Sequence, residues 1–93
     1  IISNPPYIAV EDKNKLPKEV LYENPLALFG GKKGIKFHTF LTTHCRKILK
    51  KGGYMFLEIA GFQKKILEEK LSFTGGWKQL NFYKDFGGEY RVL

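Results

Sequence analysis

Tyr54-Met55-Phe56-Leu57-Glu58-Ile59 is an almost unbroken apolar run, and its reading decides the fold. Strict alternation would mark a strand with one solvated face, whereas continuous apolarity marks a strand covered on both faces, as in the middle of a parallel sheet. Parallel strands need a crossover connection, usually a helix, and the residues just upstream supply one. Phe37, Phe40, Leu41, His44, Cys45, Ile48 and Leu49 recur at helical spacing and predict a helix from Phe37 to Leu49 with these side chains inward. Thr42, Thr43, Arg46, Lys47 and Lys50 take the outer side. Cations in the last turns suit the helix dipole, and Gly52-Gly53 supplies a left-handed stop.

Downstream, Ala60-Gly61 turns into a second helix from Phe62 to Leu71, with Phe62, Ile66, Leu67 and Leu71 inward and Gly75-Gly76 at its end. Lys78 to Tyr83 alternates, with Leu80 and Phe82 on one face. Asp85-Phe86-Gly87-Gly88 and a last strand over Glu89 to Leu93 complete a hairpin. Upstream, Ile1-Ile2-Ser3 reads as the end of a buried strand whose open side forms a raw apolar edge, prone to self-association. The sum is an α/β protein, half of an open sheet with a terminal antiparallel hairpin. Between the first strand and the first helix, Ile8 to Gly34 shows no period and is punctuated by Pro17, Pro25, Gly30, Gly31 and Gly34. Long irregular segments are usually functional or disordered. Val20-Leu21-Tyr22 with Leu26, Leu28 and Phe29 predicts one that is packed down.

The 93 residues are 43% hydrophobic and 15% aromatic, enough for one small domain with a modest core. No apolar stretch approaches the roughly 20 residues that span a bilayer, and nothing resembles a signal peptide, so no membrane partner is expected. The single cysteine, Cys45, cannot form an internal disulfide, which fits a reducing cytoplasm. The formal charge of +7 is spread from Lys13 to Arg91. Dispersed lysines are mostly solvated faces and helix ends, and a nucleic-acid groove is the sharper reading. With no initiator Met and no polar leader, the chain reads as a fragment.

Asn4-Pro5-Pro6-Tyr7 follows directly on the first strand, at the carboxyl end, where open α/β sheets place their ligands. Two prolines fix two φ angles, remove two N–H donors and disfavour helix for the residues before them, which holds the backbone extended with carbonyls available as acceptors. Adjacent prolines arise by chance at roughly one position in 400, so a plain strand-ending turn is the weaker reading. An amide or aromatic amine is a poor nucleophile because its lone pair is delocalised. The Asn4 side-chain carbonyl and a rigid backbone carbonyl, accepting from both N–H groups, favour a pyramidal, electron-rich nitrogen aimed at a methyl sulfonium. No strong base is needed beforehand, because the proton becomes acidic once the nitrogen is methylated. Tyr7 can pack flat against the planar target group.

These four residues resemble the signature of methyltransferases acting on exocyclic adenine or glutamine amides. With Glu23, Ala27-Leu28, Gly30-Gly31, Gly34, Glu58-Ile59, Gln63, Asp85, Gly88 and Arg91 added, the whole chain is similar to the HemK/PrmC family. That resemblance implies a Rossmann-like, S-adenosylmethionine-dependent methyltransferase sheet of strand order 4-5-7-6, of which residues 1–93 are the carboxyl-terminal part. It implies methylation of the side-chain amide nitrogen of glutamine in the Gly-Gly-Gln motif of peptide chain release factors. Asn4, Pro5, Pro6 and Tyr7 would be catalytic; Asn4, Pro5, Tyr7 and Glu23 would meet the substrate, and Asn4 would touch the cofactor. The sequence departs from the family at Asn24, where Pro is usual, at Lys33, where Asp is common, and at Ala60, where Gly is usual. None of these touches the four-residue motif. No Gly-rich turn follows a strand and no later acidic residue is placed to hold a ribose, so the cofactor cradle is expected upstream of Ile1 and the chain is expected to be inactive alone.

The remaining candidates read as structural. His38 and His44 are six apart, on different helix faces, and cannot share a metal as an i, i+4 pair does. Cys45 lies on the apolar stripe as a core residue, and Trp77 and the hairpin aromatics read as core rather than as base-stacking platforms. Glu23 either caps local backbone N–H groups or orients an incoming substrate backbone. Glu58 is expected to pin the loop that follows it, and Asp85 to pair with Arg91. Two rival functions stand beside the main one. A DNA or RNA amino methyltransferase would use the same four residues and make better use of the charge; a basic module without enzymatic activity would use the charge alone.

Overall fold

A computed structural model describes the chain from Ile1 to Leu93. Strand β1 (Ile2–Ser3) runs parallel to β2 (Phe56–Leu57), with Ile2 opposite Phe56 and Ser3 opposite Leu57. Near the carboxyl end, β3 (Tyr83–Lys84) and β4 (Tyr90–Val92) form an antiparallel hairpin. An antiparallel bridge between Glu58 and Val92, with Leu57 and Leu93 exchanging two backbone hydrogen bonds of 2.9 Å, ties the hairpin to β2. Helices α1 (Lys18–Leu21), α2 (Pro25–Leu28), α3 (Lys36–His44) and α4 (Lys64–Thr74) fill the connections. The chain is therefore a small α/β domain with two small sheets, and its strands are shorter than the apolar runs that announce them.

Helix α3 stops at His44 and passes into a 3-10 turn, Cys45–Ile48. Its inward face is rotated from the one the apolar stripe predicts. His38 and Thr42 are buried and Leu41 is half-buried, while Phe40, His44 and Ile48 are exposed and Cys45 is only half-buried. Each buried polar group finds a backbone partner, which offsets part of the cost of burying it, although His38 Nδ1 is left without one. His38 Nε2 donates to the Glu58 carbonyl at 2.7 Å, and the Thr42 hydroxyl donates to the His38 carbonyl at 2.7 Å.

The central strand is covered on one face, not two. Leu57 and Ile59 pack with Ile35, Leu67, Leu71 and Leu93, whereas Tyr54 and Phe56 on the other face are exposed next to an 85% exposed Ile2. β1 has β2 as its one neighbour, which leaves the raw edge the sequence predicts. Helix α4 follows a 3-10 turn, Gly61–Gln63, and ends at Gly75 in a left-handed conformation (φ 62°). It buries Leu67 and Leu71 as expected, but Phe62 points outward and is exposed. The segment from Ile8 to Gly34 is a string of single turns, including 3-10 turns at Val10–Lys15 and Lys32–Gly34. A one-turn helix can direct little inward, so Leu28 is buried while Tyr22 and Leu26 stand in solvent and the predicted packing fails there. Trp77 is half-buried and Phe86 is fully exposed at the hairpin turn, so neither is core. No helix is long and apolar enough to cross a membrane.

Leu67 has no solvent exposure, so Leu67→Ala is expected to lower stability in urea unfolding by about 2–5 kcal/mol. Phe73→Ala, at a side chain almost wholly in water, is expected to change it by less than about 0.5 kcal/mol. Burial holds the pKa of His38 below the ordinary 6.5, against the opposing effect of its bond to the Glu58 carbonyl. As the pH falls the unfolded chain takes up this proton first, so the stability it contributes is present above the unfolded value and lost through the folded one. Urea midpoints are expected to decline across that window and to decline less in His38→Gln.

Candidate functional site

Asn4–Tyr7 leave the carboxyl end of β1. The Asn4 side chain is exposed and makes no hydrogen bond within the chain, Pro5 is buried, and Pro6 and Tyr7 are half-buried. The far end of the segment is held firmly. Ile8 N–H donates to the Leu28 carbonyl at 3.0 Å and Gly30 N–H returns to the Ile8 carbonyl at 2.9 Å. From α4's side, Gln63 Nε2 donates to the Tyr7 carbonyl at 3.1 Å and to the Gly34 carbonyl at 2.9 Å. Two glycines permit this approach. A Cβ at Gly30 would run into the Pro6 carbonyl and one at Gly34 into the Tyr7 carbonyl, and Gly34 also holds φ 68°, which side chains disfavour. Of the loop's carbonyls, Tyr7's is taken by Gln63 and Pro6's is covered by Gly30, while Pro5's has no hydrogen bond within the chain.

The Tyr7 phenol lies beside Glu58 and Arg91. Burial first, and then the Glu58 carboxylate, raise its pKa above the ordinary 10.0, while Arg91 acts in the opposite direction. Arg91 in turn pairs with Asp85 at 3.0 Å, as expected. Asp85 also accepts the Glu89 N–H at 3.1 Å; that bond first, then Arg91, holds its carboxyl below the usual range. The end of β2, the diproline loop and the terminal hairpin thus share one small charged cluster.

Other predicted residues fall differently. Glu23 is exposed between α1 and α2 and no hydrogen bond ties its side chain to the Asn4–Tyr7 loop. The local capping role belongs to Asn24, whose side chain accepts the Leu26 N–H at 2.9 Å. The loop after β2 is pinned by Gln63 rather than by the Glu58 side chain: Gln63 Oε1 accepts the Ala60 N–H at 2.9 Å. That role carries a sequence signal, since a Gln at the third position of a helical turn reaches back to the first N–H. No group of three or more His, Cys, Asp or Glu side chains is placed to hold a metal. A nucleotide-like cofactor needs free N–H groups on a glycine-rich turn after a strand. The turn after β1 is a diproline, and the turn after β2 has its Ala60 N–H bonded and its Gly61 against Glu89. Neither turn has the glycine-rich stretch of free N–H groups.

No family model matches the chain. Curated proteins do. The chain is 39% identical over 93 residues to the release factor glutamine methyltransferase of Aquifex aeolicus, a match that covers all of this chain and 32% of that protein. The enzyme of the same name from Thermodesulfovibrio yellowstonii is 33% identical over 94 residues, with 33% of its length covered. A bifunctional methyltransferase of Rickettsia felis is 33% identical, with 18% of its length covered. Over its whole length this chain is a homologue of release factor glutamine methyltransferases. The resemblance to the HemK/PrmC family is thereby borne out. This methyltransferase homologue spans about a third of the length of the release factor relatives it matches.

The phenol of Tyr7 gives a direct probe of the cluster. Because its folded pKa is raised, the stability it contributes is present below the unfolded value and lost as the pH rises through the folded one. In a tyrosine-labelled NMR titration, assigned with Tyr7→Phe, its midpoint is expected above 10.0. Glu58→Gln is expected to lower that midpoint without abolishing the shift, since burial is the larger cause.

Proposed function

We propose that this chain carries the acceptor-nitrogen side of an S-adenosylmethionine-dependent methyltransferase whose substrate is the glutamine side-chain amide in the Gly-Gly-Gln loop of peptide chain release factors. The observation that carries the reading is an exposed Asn4 followed in the chain by Pro5, whose carbonyl makes no hydrogen bond, at the end of a parallel strand, in a chain whose relatives bear that name. Asn4 and Pro5 accept the two N–H groups of the target amide, and the rigid diproline keeps the acceptors from following its motion. When bound, S-adenosylmethionine supplies an electrophilic methyl group. Pro6 and Tyr7 act by holding the loop, and Tyr7 presents its ring from beside Glu58 and Arg91.

Residues 1–93 form the carboxyl-terminal part of a class I methyltransferase domain in this reading, with the cofactor held mainly by residues outside them. The pairing of Ile2 with Phe56, the bridge from Glu58 to Val92 and the pairing of Tyr83 with Val92 support the strand order 4-5-7-6. The free Cys45 accords with a reducing cytoplasm.

The test is methyl transfer by the complete gene product to a release factor. Asn4→Ala is expected to lower the rate about 100- to 1,000-fold, as loss of a preorganised polar contact does. A variant that keeps most of its turnover defeats the assignment. Transfer to adenine or guanine in an oligonucleotide, and not to the release factor, would replace this substrate with the nucleic-acid one that the +7 charge favours.

A further inference from the structure

One fully buried polar side chain touches the candidate site from behind. Gln63 has no solvent exposure, and its carboxamide is saturated: Oε1 accepts from Ala60 N–H, while Nε2 donates to the carbonyls of Gly34 and Tyr7, with the Lys33 carbonyl a longer third acceptor at 3.4 Å. A carboxamide nitrogen has two hydrogens to donate, and here both point at the backbone of segments remote in sequence. A flipped amide would set oxygen against two carbonyls and NH2 against an N–H, so one orientation is selected. A purely space-filling residue would need none of this, because burying an amide brings cost unless every bond is made.

We propose that Gln63 is a positioning residue of the acceptor site, fixing the Tyr7 carbonyl relative to the Gly34 turn and thereby the aim of Asn4 and Pro5. Its kinetic consequence rests on the methyltransferase reading; its geometric consequence does not. Tyr7 is three residues from Asn4 along a chain stiffened by two prolines, so displacement at Tyr7 is passed on rather than absorbed. Gly34 belongs to the same device, since any side chain there would push the Tyr7 carbonyl off Gln63.

The experiment uses two variants of the complete gene product. Gln63→Leu removes every side-chain hydrogen bond of this residue, and its kcat for glutamine methylation is expected to fall on the order of 100-fold, the effect of a misplacement of about 1 Å, with the KM for the methyl donor unchanged. Amide hydrogen exchange is expected to accelerate at Ile8 and Gly30 but not at Leu71 in α4. Gln63→Glu keeps the acceptor for Ala60 but sets a carboxylate against two carbonyls. Burial raises the pKa of such a group, and only its protonated form can donate. The ratio of its kcat to the native value is therefore expected to rise as the pH is lowered.

Native kcat in folded Gln63→Leu, exchange that accelerates equally at Leu71, or a Gln63→Glu profile that follows the native one overturns the proposal. If Gln63→Leu does not fold, the pH series of Gln63→Glu decides. Should the native protein methylate no glutamine amide, the functional reading fails, and the exchange pattern still decides the positioning role.

Discussion

The carbonyls of Tyr7 and Gly34 converge on a single buried amide nitrogen, and the arrangement of the site depends on that junction. In a setting shielded from water, hydrogen bonds are electrostatically stronger and an unmade one is costly, so a saturated carboxamide behaves as a rigid coupling rather than a loose contact. It joins the loop after β1, the turn before α3 and the start of α4. Glycine at position 34 is the complement of that coupling, since the backbone of Tyr7 occupies the space a side chain would need.

The sheet provides the platform beneath it. β1 is only two residues long, and its place is fixed by parallel pairing with β2 and by the bonds that continue the ladder, from Phe56 N–H to Ile1 and from Glu58 N–H to Ser3. Glu58 is held in turn from the helix side, because its carbonyl accepts from the buried His38. The diproline thus begins from a strand end that is braced laterally by hydrogen bonds and from behind by a neutral imidazole.

The sequence discloses this organisation unevenly, and the reasons are physical. Helical spacing around Phe37–Leu49 locates α3, since apolar residues at 3.6-residue intervals have few other uses. It misplaces the inward face because a histidine and a threonine that bond to the backbone take buried positions there. The apolar run at Tyr54–Ile59 locates β2 but overstates its cover: Tyr54 and Phe56 meet solvent on one side. Asn4-Pro5-Pro6-Tyr7 is legible as a motif because proline's constraints are local. Gln63, by contrast, draws its meaning from partners far away in the chain, and no local pattern can announce which carbonyls it will meet. Asp85 and Arg91 are close enough in sequence for their pairing to be read directly.

Gln63 stands 56 positions from Tyr7 and 29 from Gly34. Links of that span form only after the intervening chain has been organised, because the entropy of closing a long loop is lost before any contact repays it. Helices α3 and α4 can begin to coil from local contacts, whereas the diproline segment waits for its anchor. The two prolines limit its local freedom, but its position against the rest of the domain is fixed only once Gln63 is in place. The final shape of the diproline loop is therefore set by a long-range contact rather than by its own residues alone.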